Sequence, residues 1–131
     1  MNRTSESDIG KLILRLTVAI MMLFHGYAKI IHGVGFVENM LIKNDLPAIL
    51  AFGVYIGEIL APIFLIFGYK TRFSAFIIMC TMLMAVYLVH PHDIFEISKH
   101  GSPLLETVYF YIFSCIAIMF LGAGRIAVDS K

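Results

Sequence analysis

The sequence has little charge: aspartate, glutamate, lysine and arginine make up 15% of its 131 residues. Soluble domains carry about 25%. Two cysteines are too few for a disulfide scaffold, and a net charge of +1 excludes a nucleic-acid-binding protein. With 60% hydrophobic residues and a mean hydropathy of +0.87, the chain is not disordered either. The composition leaves one class, a small integral membrane protein, and the length fits one domain.

Sequence motifs of common catalytic and cofactor sites are also missing. The chain has no Cys-x-x-Cys pair, P-loop, Gly-x-Gly-x-x-Gly fingerprint or nucleophile elbow. No His-x-x-x-His or Glu-x-x-His pair lies in an apolar stretch, so only the weak loop motif His90-Pro91-His92 favours a metal. A haem would need a second axial ligand at the depth of His25, and none is evident. Metal and haem are therefore the weaker candidates.

Four stretches are long and apolar enough to cross a bilayer, whose core of about 30 Å needs about 20 helical residues. They are residues 11–31, 46–68, 73–90 and 104–122. Each is apolar all round, which excludes a soluble four-helix protein. The sequence predicts an all-α, polytopic membrane protein, a bundle of four transmembrane helices forming a single domain over residues 1–131. Phe36, Val37, Met40 and Leu41 recur at helical spacing and predict a short helix at the membrane interface.

Lysine and arginine are distributed unevenly between the two sides of the predicted bundle. Seven of them lie on one side: Arg3, Lys11, Arg15, Lys70, Arg72, Arg125 and Lys131. The other side has Lys29, Lys43 and Lys99. Because cytoplasmic flanks carry the excess of basic residues, both termini are predicted to be cytoplasmic. Arg15 lies about one turn inside the first span and is expected to extend its side chain to that surface.

Each predicted span places one ionisable residue in the outer half of the membrane: His25, Glu58, His90 and Glu106. Glu58 lies near the midplane, where a charge costs about 2.5–3.5 kcal/mol and needs a partner or a role. If all four helix faces point inward, these side chains form a polar pocket that opens outward. Two alternatives stay open. Glu58 is protonated and hydrogen-bonds a neighbouring helix, or the four are separate interfacial residues hydrated by headgroups.

A quinone suits such a pocket better than a metal. Its carbonyl oxygens need hydrogen-bond donors, and its ring needs apolar and aromatic walls. Lys29 shares a helix face with His25, as Tyr55 does with Glu58. The predicted ligand-binding residues are His25, Lys29, Tyr55, Glu58, His90 and Glu106. Quinone is the candidate cofactor.

Three blocks of sequence, in order, resemble the DoxX family of small membrane proteins. The first comprises residues 14–16 (LRL) and 23–29 (LFHGYAK). The second comprises residues 57–58 (GE) and 65–72 (LIFGYKTR). The third is similar to the family's C-terminal Gly-x-Gly-Arg…Asp ending, at residues 122–125 (GAGR) and Asp129. The chain departs from the family at Ile126-Ala127, where an aromatic residue and serine are more usual.

The resemblance implies a four-helix bundle in the bacterial inner membrane. Relatives include the small membrane subunit of an archaeal thiosulfate:quinone oxidoreductase and a component of a mycobacterial oxidoreductase assembly. It therefore implies a subunit or accessory of an oxidoreductase, with a membrane or periplasmic partner subunit, more than a stand-alone enzyme. Among the positions carried over, ligand contact is expected at His25 and Glu58. Pairing at cytoplasmic helix ends is expected at Arg15, Arg72, Arg125 and Asp129.

Two other functions stay open at this point. One is a non-enzymatic membrane anchor or assembly factor, and the other is a small transporter or metal-handling protein that uses the same pocket. Gly53 and Gly57 have the Gly-x-x-x-Gly spacing that lets helices pack closely, either within one bundle or in a homo-oligomer.

Overall fold

The computed structural model describes residues 5–89 and 91–129, which form helices and loops without a β-strand. The helices are α1 (Glu6–His32), α2 (Gly35–Lys43), α3 (Ala48–Phe67), α4 (Thr71–Val89) and α5 (Glu106–Leu121). By length and composition α1, α3 and α4 can each cross a membrane, whereas α5 is apolar but has only 16 residues. The predicted all-helical membrane fold is confirmed to this extent. The short helix predicted in the first loop is α2.

The four long helices pack around one core. α1 contacts α3 and α5, and α4 also contacts both, so the helices form a closed ring. Each helix contributes buried side chains, among them Met22, Leu65, Ile78, Cys115 and Ile118. These apolar side chains pack together along the middle of the helices and along the end that holds Arg15, here called the Arg15 end.

The opposite end of the bundle, here called the Lys29 end, carries α2. This short helix packs on the start of α3 and on α4. It encloses a second, smaller apolar cluster of Val34, Leu41, Ala51 and Leu88. α2 therefore covers the Lys29 end on the side where α3 and α4 lie.

α3 changes its helical geometry three times. It begins as a 3-10 helix at Ala48–Phe52, becomes α-helical at Gly53–Tyr55, passes through a π-helical turn at Ile56–Leu60 and continues as an α-helix over Ala61–Phe67. The π turn precedes Pro62, which has no N–H to donate to the carbonyl of Glu58, its i−4 partner. Such turns are rare and are often found at functional sites. Here the turn contains the buried Gly57 and Glu58.

Candidate ligand-binding site

Lys29 and Glu58 form an ion pair between α1 and the π turn of α3. The Lys29 Nζ lies 3.1 Å from Glu58 Oε1 and 3.3 Å from Oε2. The Glu58 side chain is 6% exposed and that of Lys29 is 30% exposed. The carboxylate therefore has a cationic partner next to it, which offsets the cost of placing a charge at that depth.

A glycine and a tyrosine hold the two helices in this register. A Cβ at Gly26, one turn before Lys29, would collide with the backbone carbonyl of Glu58, so α1 and α3 approach each other more closely than two side chains would allow. The hydroxyl of the half-buried Tyr55 donates to the carbonyl of Lys29 at 3.2 Å. Backbone proximity and this hydrogen bond therefore position the ion pair.

The ion pair lies at the wall of a cavity of about 540 Å³ between α2, α3 and α4. This volume falls within the range of about 300–1,000 Å³ typical of small-molecule sites. Lys29 and Glu58 are its charged lining residues, with Thr81 and Cys80 nearby. The other lining side chains are apolar and include Phe36, Met40, Leu41, Ile77, Met84 and Leu88.

The cavity ends, towards the Arg15 end of the bundle, where α3 and α4 come into contact. A Cβ at Gly57 would collide with the side chain of Thr81, whose hydroxyl donates to the carbonyl of Ile77 at 2.9 Å. α2 closes the cavity on the other side with Leu41, which is 2% exposed. The site is therefore a cleft between two membrane helices with a short helix as its cover.

The structure brings three of the six predicted ligand residues together: Lys29 and Glu58 line the cavity, whereas Tyr55 hydrogen-bonds the Lys29 carbonyl and is not a lining residue. His25 is exposed; its Nδ1 lies 3.2 Å from the Met21 carbonyl, and its ring packs edge-on against Tyr111 at 5.6 Å. Glu106 is exposed in the first turn of α5, and neither it nor His25 lines the cavity. His90 lies outside the described residues. The predicted ligand residues that the structure brings together therefore come from two helices, α1 and α3, rather than from four.

Sequence reasoning missed Thr81 and the role of α2. Thr81 lies in an apolar stretch as a single polar residue, and nothing in its neighbourhood signals that it faces Gly57. The apolar spacing of Phe36, Val37 and Met40 predicts a helix but not which part of the bundle that helix covers. Both assignments depend on contacts between segments far apart in sequence.

Arg15 is fully buried at the other end of the bundle, so the expectation that it reaches the surface is wrong. Its guanidinium donates to the carbonyls of Leu65 at 2.7 Å, Ile66 at 3.3 Å and Ala123 at 3.1 Å, and also to that of Ile126. The last carbonyls of a helix have no partner within the helix and carry partial negative charge. The end of α3 therefore attracts the cation inward.

The other residues expected at helix ends lie in the same region. Arg72 Nε donates to the Met119 carbonyl near the end of α5 at 2.9 Å. Asp129 Oδ2 accepts from the Lys70 amide at 2.6 Å, and the Arg125 amide donates to Asp8 Oδ1 at 3.1 Å. Residues 122–129, here called the C-terminal segment, therefore join α1, α5 and the α3–α4 turn.

Within residues 5–89 and 91–129, no three His, Cys, Asp or Glu side chains are close enough together to hold a metal ion. The charged groups of the cavity are one ammonium and one carboxylate, which are suited to hydrogen-bonding a polar organic group. Its walls are suited to an apolar ring or chain.

Residues 10–91 match the model of the DoxX family. The chain belongs to the DoxX family. The matched range contains every residue that lines the cavity, whereas the C-terminal segment lies beyond it. The family model therefore does not cover residues 122–129, where the sequence also resembles the family.

Two proteins of Haemophilus influenzae are similar to this DoxX protein, and both are described as uncharacterized. One is 34% identical over 125 residues, which cover 90% of this chain and 87% of the relative. The other is 30% identical over 88 residues, which cover 66% of this chain and 56% of the relative. No solved structure matches.

Proposed function

We propose that this DoxX protein is a bacterial inner-membrane subunit that binds a quinone in the cavity and works with an oxidoreductase partner. One observation carries the proposal: a partly buried Lys29–Glu58 ion pair, in which the Glu58 side chain is 6% exposed, borders a largely apolar cavity of about 540 Å³. A polar group deep in a membrane protein is commonly functional. This one faces a space in which a ligand fits.

The side chains match the two parts of a quinone. Lys29 has three N–H donors, of which the carboxylate of Glu58 takes up to two, so one remains for a quinone carbonyl oxygen. Apolar side chains of α2 and α4 flank the ring. Reduction of a quinone to a quinol takes two electrons and two protons. A bound quinone would supply this redox chemistry, with the electrons coming from an oxidoreductase partner; Lys29 would hold one of the two protons beside a carbonyl oxygen, and the second would come from solvent.

The orientation follows from the distribution of basic residues. With both termini cytoplasmic, the Arg15 end faces the cytoplasm and the Lys29 end faces the periplasm. A partner that delivers electrons to the cavity would then dock on the periplasmic side or within the membrane beside it.

Calorimetric titration of the purified protein with a tail-less benzoquinone tests the proposal. The decisive variant is Lys29→Met combined with Glu58→Gln, because it removes both charges and leaves neither one buried without a partner. We expect it to keep its helical content and thermal transition but to bind the quinone about 10–100-fold more weakly, the equivalent of one charge-assisted hydrogen bond.

Two single variants serve as controls. Glu106→Gln and His25→Ala change side chains that do not line the cavity, and we expect both to bind normally. If they also weaken binding, the ligand contacts the wider set of residues predicted from the sequence. Unchanged affinity in the double variant would contradict the proposal.

A further inference from the structure

The cavity has one row of exposed residues on each side. On α3 the row is formed by Leu50, Gly53 and Ile56, with Leu50 49% and Ile56 51% exposed. On α4 it is formed by Cys80 and Met84, with Met84 44% exposed. Residues three or four apart lie on one helix face, so each row is continuous along its helix. The two rows border an opening on the outer surface of the bundle.

Among residues 5–89 and 91–129, side chains close the cavity in both directions along the bundle. Towards the Arg15 end, α3 and α4 meet at Gly57 and Thr81. Towards the Lys29 end, Leu41 of α2 and Leu88 of α4 belong to a buried apolar cluster that separates the cavity from the end surface of the bundle. The side of the cavity is bordered by the exposed rows of α3 and α4 and by Phe36 of α2, which is 61% exposed, and these outer faces meet lipid chains.

The polarity of the cavity changes along this direction. The ion pair lies between α1 and α3 with the Glu58 carboxylate buried, whereas the rim carries aliphatic and thioether side chains together with Gly53 and Cys80. A ligand that fits this gradient has a polar head and an apolar remainder. A ligand that is polar throughout would have to cross hydrocarbon to reach the opening.

We infer that the ligand enters from the bilayer between α3 and α4 and is a lipid-soluble molecule with a polar head and a long apolar chain. The head lies at Lys29 and Glu58, and the chain passes Gly53 and Met84 into the surrounding lipid. This inference rests on the proposed function and narrows it, because it selects prenylated quinones over water-soluble redox carriers.

Gly53 offers a way to obstruct the opening without touching the ion pair. Its backbone is in the right-handed helical region, with φ −61° and ψ −23°, and nothing lies within 4 Å of a Cβ built on it. It precedes Glu58 by five residues, about 7 Å along a helix. Gly53→Trp therefore adds a large ring at the rim from a Cβ that meets no neighbouring atom.

Gly10→Trp is the matched control. Gly10 is also helical, a Cβ on it also meets nothing within 4 Å, and it does not line the cavity. Each protein is reconstituted in nanodiscs of phosphatidylethanolamine and phosphatidylglycerol. Occupancy is then measured by native mass spectrometry for two probes, tail-less dimethoxy-methyl-benzoquinone and its long-chain prenylated derivative.

We expect the unsubstituted protein and Gly10→Trp to bind both probes. Gly53→Trp should bind the tail-less probe normally and the prenylated probe at least about tenfold more weakly, because the ring occupies the space of the chain. Equal binding of the prenylated probe by both variants would overturn the lateral opening while leaving the proposed function intact. So would an unsubstituted protein that binds only the tail-less probe.

Two further results are informative. Equal loss of both probes in Gly53→Trp would place Gly53 in the head site and overturn the inference. If the unsubstituted protein binds neither probe, the proposed function fails and this inference fails with it. The tail-less probe therefore separates the two claims.

Discussion

Single glycines determine how closely the helices approach at the candidate site. Gly26 lets α1 approach the Glu58 carbonyl, and Gly57 lets α3 approach Thr81. Lipid provides no hydrophobic drive between helices, so close van der Waals packing at small residues contributes much of the helix association. The ion pair of Lys29 and Glu58 depends on this register.

We expect Gly26→Ala to destabilise the bundle by about 1–3 kcal/mol, because the new methyl group would have to displace the α3 backbone. Quinone affinity should fall with it, since Lys29 and Glu58 would separate. Gly10→Ala is the matched control and should be neutral or slightly stabilising. Reversible unfolding in detergent, followed by circular dichroism, measures both variants. Equal stability of the two would show that α1 and α3 do not meet at Gly26.

A second prediction at the residue scale concerns the contribution of Arg15 to stability. Arg15→Met removes the guanidinium donor from the buried carbonyls of Leu65 and Ala123, of which Leu65 keeps only the Gly68 amide, so stability should fall by about 3 kcal/mol. Lys43→Met, at the exposed end of α2, should change stability little. The same unfolding assay measures the stability of both variants. A stability of Arg15→Met equal to that of Lys43→Met would mean that Arg15 does not cap α3.

At the scale of elements, hydropathy was sufficient to locate the helices but not their rotation. The apolar stretches predicted α1, α3, α4 and α5 closely, because burial in hydrocarbon favours long uncharged runs. Which face of a helix meets its neighbour depends on small local features such as the π turn before Pro62. For this reason Lys29 and Glu58 were both identified as ligand residues without being recognised as an ion pair.

The position of the C-terminal segment also depends on contacts with residues far away in the sequence. Val128 and Asp129 donate their amides to the carbonyls of Phe67 and Gly68 at 2.8 and 3.1 Å. Gly68 has φ +69°, and a Cβ there would collide with Ala127. The segment therefore lies against the end of α3, and it also supplies carbonyls to Arg15.

We expect a chain that ends after Gly122 to unfold at lower temperature and to be cleaved faster by protease near the α3–α4 turn. The reason is that Arg15 loses two of its acceptors and Lys70 loses the carboxylate of Asp129. Removal of residues 130–131 alone serves as the control and should have little effect. Limited proteolysis in nanodiscs compares the two, and equal cleavage rates would contradict a structural role for the segment.

At the scale of the whole molecule, the site lies at the end of the bundle with few basic residues. The predicted orientation places the loop between α4 and α5 outside the cell and the N-terminus inside. The orientation can be tested with Ser7→Cys and Lys99→Cys. Both variants are made in a chain in which Cys80 and Cys115 are replaced by alanine. Both parent residues are exposed.

A membrane-impermeant maleimide should label Lys99→Cys in intact cells with a permeable outer membrane. Ser7→Cys should be labelled only after the inner membrane is broken. The opposite pattern would reverse the orientation, and the cavity would then be closer to the cytoplasmic surface. Labelling of both sites in intact cells would argue against the three spans predicted between Ser7 and Lys99.

Native mass spectrometry of the protein, extracted gently from its own membrane, tests the ligand cavity most directly. If the Lys29–Glu58 pair holds a quinone head, the unsubstituted protein carries a mass that dissociates as a prenylated quinone. The Lys29→Met and Glu58→Gln double variant, folded and extracted in the same way, lacks that mass. Equal quinone occupancy in both proteins, or an unsubstituted protein that carries no quinone, would contradict quinone binding at this cavity.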